Sequence, residues 1–231
     1  HLPDFTLSGK KMKGQRSSFN KVLKEGYRFD VITPPFSSET ISALKTVSDE
    51  WLGGRKEKGF SLGFFSEDYL QRAPIAVIRN SDEKIVAFAN FMPTYTNSIG
   101  TIDLMRHSPE EAPSGTMDFL FINLFQYMRD ETGIEYFDLG MAPLANVGTS
   151  RKSFTQERIA YLVYNFGSRF YSFGGLKEYK DKYANEWLPK YVLYSRDSWI
   201  GYVMIALLIT DNSPVQAEKK YHGFRRFIFR D

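Results

Sequence analysis

Between Gly115 and Glu131, the residues Met117, Leu120, Phe121, Leu124 and Met128 fall at i, i+3, i+4, i+7 and i+11. A helix over this stretch presents one continuous apolar stripe, and a stripe of that kind must be covered by something. The flanking sequence supplies the cover. Upstream, Pro74–Arg79, Ile85–Met92 and Ile99–Met105 are rich in β-branched and aromatic residues and read as strands. Asn80-Ser81-Asp82-Glu83 joins the first two as a hairpin turn. Downstream, Gly133 ends the helix, and Tyr136–Leu139 reads as a further strand stopped by Gly140. Antiparallel strands feeding a long helix and then another strand specify one mixed α/β (α+β) domain.

The rest of the chain fits around this centre. Ser17 or Ser18 is placed to cap a short helix with Phe19, Val22 and Leu23 facing inward. A strand at Arg28–Thr33 follows and stops at Pro34-Pro35. Ser37 and Ser38 start a helix with Ile41, Leu44, Val47 and Trp51 on its apolar face and Gly53-Gly54 at its end. A short helix is expected near Ser66–Arg72, longer ones at Thr155–Phe166 and Leu176–Ala184, a strand at Tyr191–Tyr194, and an apolar helix at Trp199–Ile209. That last run is about a dozen residues, against the roughly 20 needed to span a bilayer, so a buried helix is expected. The chain of 231 residues does not begin with methionine, which suggests a piece of something larger.

Composition narrows the chemistry. There are no cysteines and only three histidines, His1, His107 and His222, so no metal site is expected and thiolate catalysis is excluded. No G-x-S-x-G elbow supports a serine triad. The net charge is only +3, but within residues 10–28 Lys10, Lys11, Lys13, Arg16, Lys21, Lys24 and Arg28 stand against the single acid Glu25. Lys219, Lys220, Arg225, Arg226 and Arg230 crowd the end. Such clusters suit a polyanion or an anionic lipid surface, or are solvated faces.

Three segments hold the densest chemistry. In Ile102–Leu120, Asp103 and Arg106 lie on a strand and Asp118 begins the long helix, where free N–H groups favour anions. Asp103 and Arg106 point to opposite faces of a regular strand and converge only if it ends or bulges near Met105. The bland alternative is that Asp103 pairs with a lysine and Asp118 serves the first helical turn. In Phe137–Gly148, a strand carrying Asp138 enters a loop, including Met141, that is too apolar for casual exposure. In Phe173–Trp187, Lys177 and Lys180 share a helical face beside Tyr179 and Tyr183, either as a phosphate site or as an ordinary surface helix. The element order suggests an acyl-CoA N-acyltransferase-like (GNAT-like) sheet flanked by helices. The pyrophosphate loop of those enzymes is missing, because the nearest candidate, beginning at Arg169, has the wrong spacing. Coenzyme A is therefore not expected, nor any other cofactor.

The strings DLMR (Asp103–Arg106), APSGTMDFLF (Ala112–Phe121), FDLGMAPL (Phe137–Leu144) and GGLKEYKDKY (Gly174–Tyr183) resemble the C-terminal catalytic domain of bacterial phosphatidylglycerol lysyltransferases, the lysylphosphatidylglycerol synthase or multiple peptide resistance factor family. The resemblance implies two tandem acyltransferase-like folds joined by a basic helix. Residues 1–28 would be the connecting helix segment and 29–231 the second fold, following an N-terminal transmembrane flippase domain in the cell membrane, with this domain on the cytoplasmic side. It also implies transfer of lysine from lysyl-tRNA to a glycerol hydroxyl of phosphatidylglycerol. By match to these motifs, Asp103, Arg106, Asp118, Lys177 and Lys180 are the catalytic candidates. Asp138, Met141, Tyr179 and Tyr183 are the substrate-binding ones, with Asp118 or Asp138 pairing the lysyl ammonium. Lys10, Lys11, Lys13, Arg16, Lys21 and Lys24 would contact tRNA. The alternatives are an alanyl-tRNA-dependent synthase of the same lipid, a peptidoglycan aminoacyltransferase, and a tRNA- or membrane-surface-binding module without catalysis.

Overall fold

The computed structural model describes residues 1–55, 57, 63–166, 173–195 and 197–211. The closing basic cluster, His222 and Arg169 lie outside them. Among the described residues the elements are α1 (Lys13–Lys24), β1 (Arg28–Ile32), α2 (Ser38–Leu52), α3 (Glu67–Leu70), β2 (Ile75–Arg79), β3 (Ile85–Phe91), β4 (Ile99–His107), α4 (Thr116–Glu131), β5 (Tyr136–Asp138), α5 (Thr155–Phe166), α6 (Phe173–Asp181) and α7 (Ile200–Asp211). The five strands form one sheet in the order β1-β2-β3-β4-β5. The first four are antiparallel, and β5 joins β4 in parallel. This is the mixed α/β, acyltransferase-like arrangement that the element order predicts.

The two helices with the clearest stripes cover the two faces of the sheet. On one face α4 buries Phe119, Leu120, Leu124 and Met128 against Ala76 and Ile78 of β2 and Ala87 and Ala89 of β3. On the other, α2 buries Leu44 and Val47 against Ile75 and Val77 of β2, Phe88 of β3 and Leu104 of β4. Alternate residues of β2 thus enter opposite cores, and β2 and β3 are apolar at nearly every position because both of their faces are covered.

Local signals set the ends of these elements. Ser37 is extended, and its hydroxyl accepts from the Thr40 amide at 3.2 Å, while Gly53 closes α2 in the left-handed region. In the β2–β3 turn the Asn80 side chain accepts from the amides of Asp82 and Lys84, both at 3.0 Å. Gly115 stands before α4 with φ +99°, and a Cβ there would come within 2.9 Å of Ser18 Cβ on α1. Glycine is what allows α1 to lie this close to α4.

Three expectations are corrected. The first helix begins at Lys13 rather than at Ser17 or Ser18, and it has no side-chain cap. Its entry is held instead by the Arg16 guanidinium, which donates to the carbonyls of Leu7 and Gly9. Val22 is buried as expected, but Leu23 is 51% exposed. The strand expected at Tyr191–Tyr194 does not form, for it finds no ladder partner among the described residues, and Leu193 is 94% exposed. The helix expected to be buried at Trp199–Ile209 is instead exposed, with Tyr202 at 72% and Ile209 at 66%, and apolar side chains of α5 are exposed as well. No helix among the described residues is long and apolar enough to cross a membrane.

Phe119, 2% exposed and 4.9 Å from the Phe19 ring of α1, joins both halves of the larger core. Phe119→Ala is expected to cost about 3–5 kcal/mol, read as a fall in denaturant midpoint with little change in slope.

Candidate active site

The faces of β4 are not those of a regular strand. Ala89 pairs with Met105 and Phe91 with Ile102, so the single residue Asn90 stands opposite both Asp103 and Leu104. This is a β-bulge. The extra residue brings Asp103 to the same face as Leu104 and Arg106, the α2 face, which is the convergence that the sequence made conditional on a bulge. The Asn90 side chain, 2% exposed, accepts the Leu104 amide at 2.6 Å.

Asp103 is held from two sides. Tyr69 of α3 donates its hydroxyl to Oδ2 at 2.6 Å, and the Gly63 amide donates to Oδ1 at 3.0 Å. A Cβ on Gly63 would run into this carboxylate, so the close approach requires glycine. Burial and the adjacent Asp103 push the Tyr69 phenol up, with a smaller opposing effect from Asn90, so it stays a donor at neutral pH. Two hydrogen bonds leave Asp103 with acceptor capacity for a third partner.

Arg106 is placed differently from the expectation that it meets substrate directly. It is 3% exposed, pairs with Glu57, bonds Ser48 of α2, and lies 5.0 Å from the centre of the Trp51 ring, whose other cationic neighbour is Arg55. Its Nε has no hydrogen-bond partner among the described residues. Glu57 in turn accepts from the Phe65 amide at 2.9 Å. Arg106 therefore fastens α2, β4 and the segment leading to Asp103's partners, and its charge is used internally.

Asp118 is not brought together with Asp103. It lies on the α4 side of the sheet, where it accepts from the Tyr183 hydroxyl and sits 3.8 Å from Lys182 Nζ. Tyr179 and Tyr183 pack there against Phe121, and burial drives both phenols far above their usual range. These tyrosines tie the end of α6 to α4. Lys177 is likewise occupied, by Asp181 and by the Trp187 ring at 5.2 Å.

A third group stands at the end of β5. The β4–β5 ladder stops at Thr101 and Asp138, and Thr101 Oγ1 donates to the Asp138 carbonyl at 2.8 Å. Beyond this rung the ladder ends, with Asp103 two residues farther along β4. Lys180 Nζ donates to the Met141 carbonyl at 2.6 Å. Burial lowers the Lys180 ammonium, and Asp138 partly offsets this. Asp138, Met141 and Lys180 thus lie together at this end of β5. Among the described residues no group of His, Asp and Glu is arranged to hold a metal.

Sequence reasoning missed Tyr69, Gly63, Glu57 and Asn90. Only Asn90 carried a signal, as one amide inside the apolar run Ile85–Phe91.

The Arg106 geometry predicts a stability effect that its sequence position does not. Arg106→Lys keeps the charge but loses the planar fork and the stacking on Trp51, and leaves Glu57 and Ser48 mispaired. A loss of about 2–4 kcal/mol is expected, visible as a melting temperature lowered by several degrees.

Comparison with known proteins agrees with this architecture. The family model for the C-terminal domain of phosphatidylglycerol lysyltransferase matches residues 1–194. The phosphatidylglycerol lysyltransferase of Bacillus subtilis (strain 168) is 49% identical over 203 residues, covering 88% of this chain and 24% of that protein. That of Staphylococcus haemolyticus (strain JCSC1435) is 40% identical over 208 residues, 90% of this chain and 24% of its own. The structure of L-PGS from Bacillus licheniformis superimposes with a TM-score of 0.77 at 47% identity, covering 92% of this chain and 63% of that one. The chain thus spans about a quarter of the length of the curated relatives it matches. It belongs to the family of phosphatidylglycerol lysyltransferase C-terminal domains.

Proposed function

We propose that this domain carries the aminoacyl-transfer site of a lysylphosphatidylglycerol synthase, moving lysine from lysyl-tRNA to a glycerol hydroxyl of phosphatidylglycerol. The observation that carries the reading is the placement of Asp103. A bulge turns it onto a face where Tyr69 and Gly63 fix its orientation, two residues past the rung at which β4 and β5 cease to pair. Family membership supplies the reaction class, with the B. subtilis relative named for it.

The attacking alcohol has a pKa far above neutrality, so a carboxylate within hydrogen-bond reach assists its attack. The hydroxyl oxygen forms a bond to the ester carbonyl carbon of lysyl-tRNA while its proton passes to Asp103. The tetrahedral intermediate then collapses, the ester bond to the terminal ribose breaks, and the departing oxygen takes the proton back. Lys180 at the end of β5 is suited to the developing oxyanion or the lipid phosphate. Asp138, beside it, is suited to the lysyl ammonium. Asp118 and Arg106 act by holding the frame, and Lys177 sits outside the reacting centre. Exposed apolar side chains on α5, on 187–194 and on α7 favour a lipid acceptor over a polar peptidoglycan precursor. Residues 1–28 serve as the basic connecting segment after an upstream fold and membrane domain, with the present domain facing the cytoplasm.

If Asp103 takes the proton, Asp103→Asn lowers turnover by about 100-fold or more while the melting temperature barely moves. The assay is transfer of labelled lysine from lysyl-tRNA to phosphatidylglycerol vesicles. Wild-type turnover in that variant would remove Asp103 from the chemistry.

Lys10, Lys11, Lys13, Lys21 and Lys24 are exposed, whereas Arg16 is spent on the Leu7 and Gly9 carbonyls. The five lysines are therefore the tRNA-binding groups to test. Changing them to Gln should flatten the salt dependence of tRNA binding, by about 0.7–0.9 in log–log slope for each phosphate that is no longer neutralised. An unchanged tRNA slope together with abolished vesicle binding would make this face a membrane contact instead.

A further inference from the structure

The bulge in β4 needs a partner for the backbone it displaces. Where two residues oppose one, a ladder amide is left without its usual carbonyl, and a buried N–H without an acceptor is costly. Here the orphan is the Leu104 amide, and its acceptor is the side chain of Asn90 at 2.6 Å. Asn90 is 2% exposed in a strand otherwise made of Ile, Val, Ala and Phe, where a polar side chain is tolerated only if it is bonded. An apolar residue would suit the surrounding core, yet would leave the bulge amide unpaired.

Asn90 lies opposite Ile75 of β2, on the α2 face where Tyr69 grips Asp103 Oδ2. Through Leu104 it fixes the backbone that follows Asp103, while Tyr69 sets the carboxylate's rotation. We propose that Asn90 is a positioning residue for the transfer reaction, holding the β4 bulge so that the Asp103 carboxylate is aimed at the reacting hydroxyl. This rests on the assignment of Asp103 as base. It adds a residue that touches neither substrate nor the reacting atoms.

The test uses Asn90→Leu, which keeps side-chain size and removes the acceptor for the Leu104 amide, each variant being made with Asp103 intact and with Asp103→Asn. Turnover is measured with lysyl-tRNA and phosphatidylglycerol vesicles on the full-length protein. With Asp103 intact, Asn90→Leu should lower kcat by about 10- to 100-fold while KM for lysyl-tRNA stays within about threefold. In the Asp103→Asn background it should cost less than about twofold further, because a residue acting through Asp103 has nothing left to aim. Asn90→Ser, too short to hold the Leu104 amide in the same way, should show the same dependence on Asp103 and covers the case in which Asn90→Leu fails to fold. A separate readout is hydrogen exchange at the Leu104 amide, which should speed up in Asn90→Leu. Equal losses in both backgrounds, or no loss with Asp103 intact, would overturn the proposal, as would unchanged exchange at Leu104. Full turnover of the Asp103→Asn single variant is a different failure: it overturns the base assignment, and the role of Asn90 falls with it.

Discussion

Burial of β2 and β3 on both faces is the constraint on which the rest depends. Ile75 and Val77 enter the α2 core while Ala76 and Ile78 enter the α4 core, so neither helix can be removed without exposing half of each strand. The alanines facing α4 are small, which lets Phe119, Phe121 and Phe125 approach the sheet closely and fill the space themselves. Once these two strands are fixed, β4 has no freedom of register against β3, and every residue it presents is decided by that pairing.

Charge is distributed in keeping with this two-sided core. Buried ions are expensive unless matched, and buried Arg106 and half-buried Asp118 are both matched across elements rather than within one. Arg106 joins β4 to Ser48 and Trp51 of α2 and to Glu57. Asp118 joins α4 to Tyr183, which follows α6. The residues that the motifs grouped as one catalytic set therefore divide between opposite sides of the sheet. Those left with spare capacity, Asp103 on β4 and Asp138 with Lys180 near the end of β5, gather where the last two strands part company.

Much of this fold was legible because it follows from short-range pattern. The α4 stripe, the Ser37 cap and the Asn80 turn each depend on residues within one or two turns of one another. The misreadings have non-local causes. The start of α1 is set by Arg16 reaching back to Leu7 and Gly9, not by a capping hydroxyl. The aromatic and aliphatic run Tyr191–Tyr194 suits a strand, but a strand exists only where a neighbour offers its backbone. The candidate site shows the same limit more sharply. Asp103 was visible in its motif, whereas its partners come from residues 63, 69 and 90, and its face is chosen by a strand that precedes it.

The bulge makes β4 behave like a sequence with a reading frame. From Ile102 toward the start of the strand, even-numbered positions look toward α4; from Leu104 onward, they look toward α2. Elsewhere in a sheet, gaining or losing one residue is the most disruptive change available, since it turns every later side chain inside out. In β4 that shift is built in, and Asp103 is the residue at which the frame changes. Variation in this strand thus comes in two unequal kinds. Side chains can be exchanged one at a time, but Asp103 and Arg106 stand three residues apart and share a face only through the bulge, so straightening the strand at unchanged length would send the buried arginine and the candidate base to opposite sides of the protein.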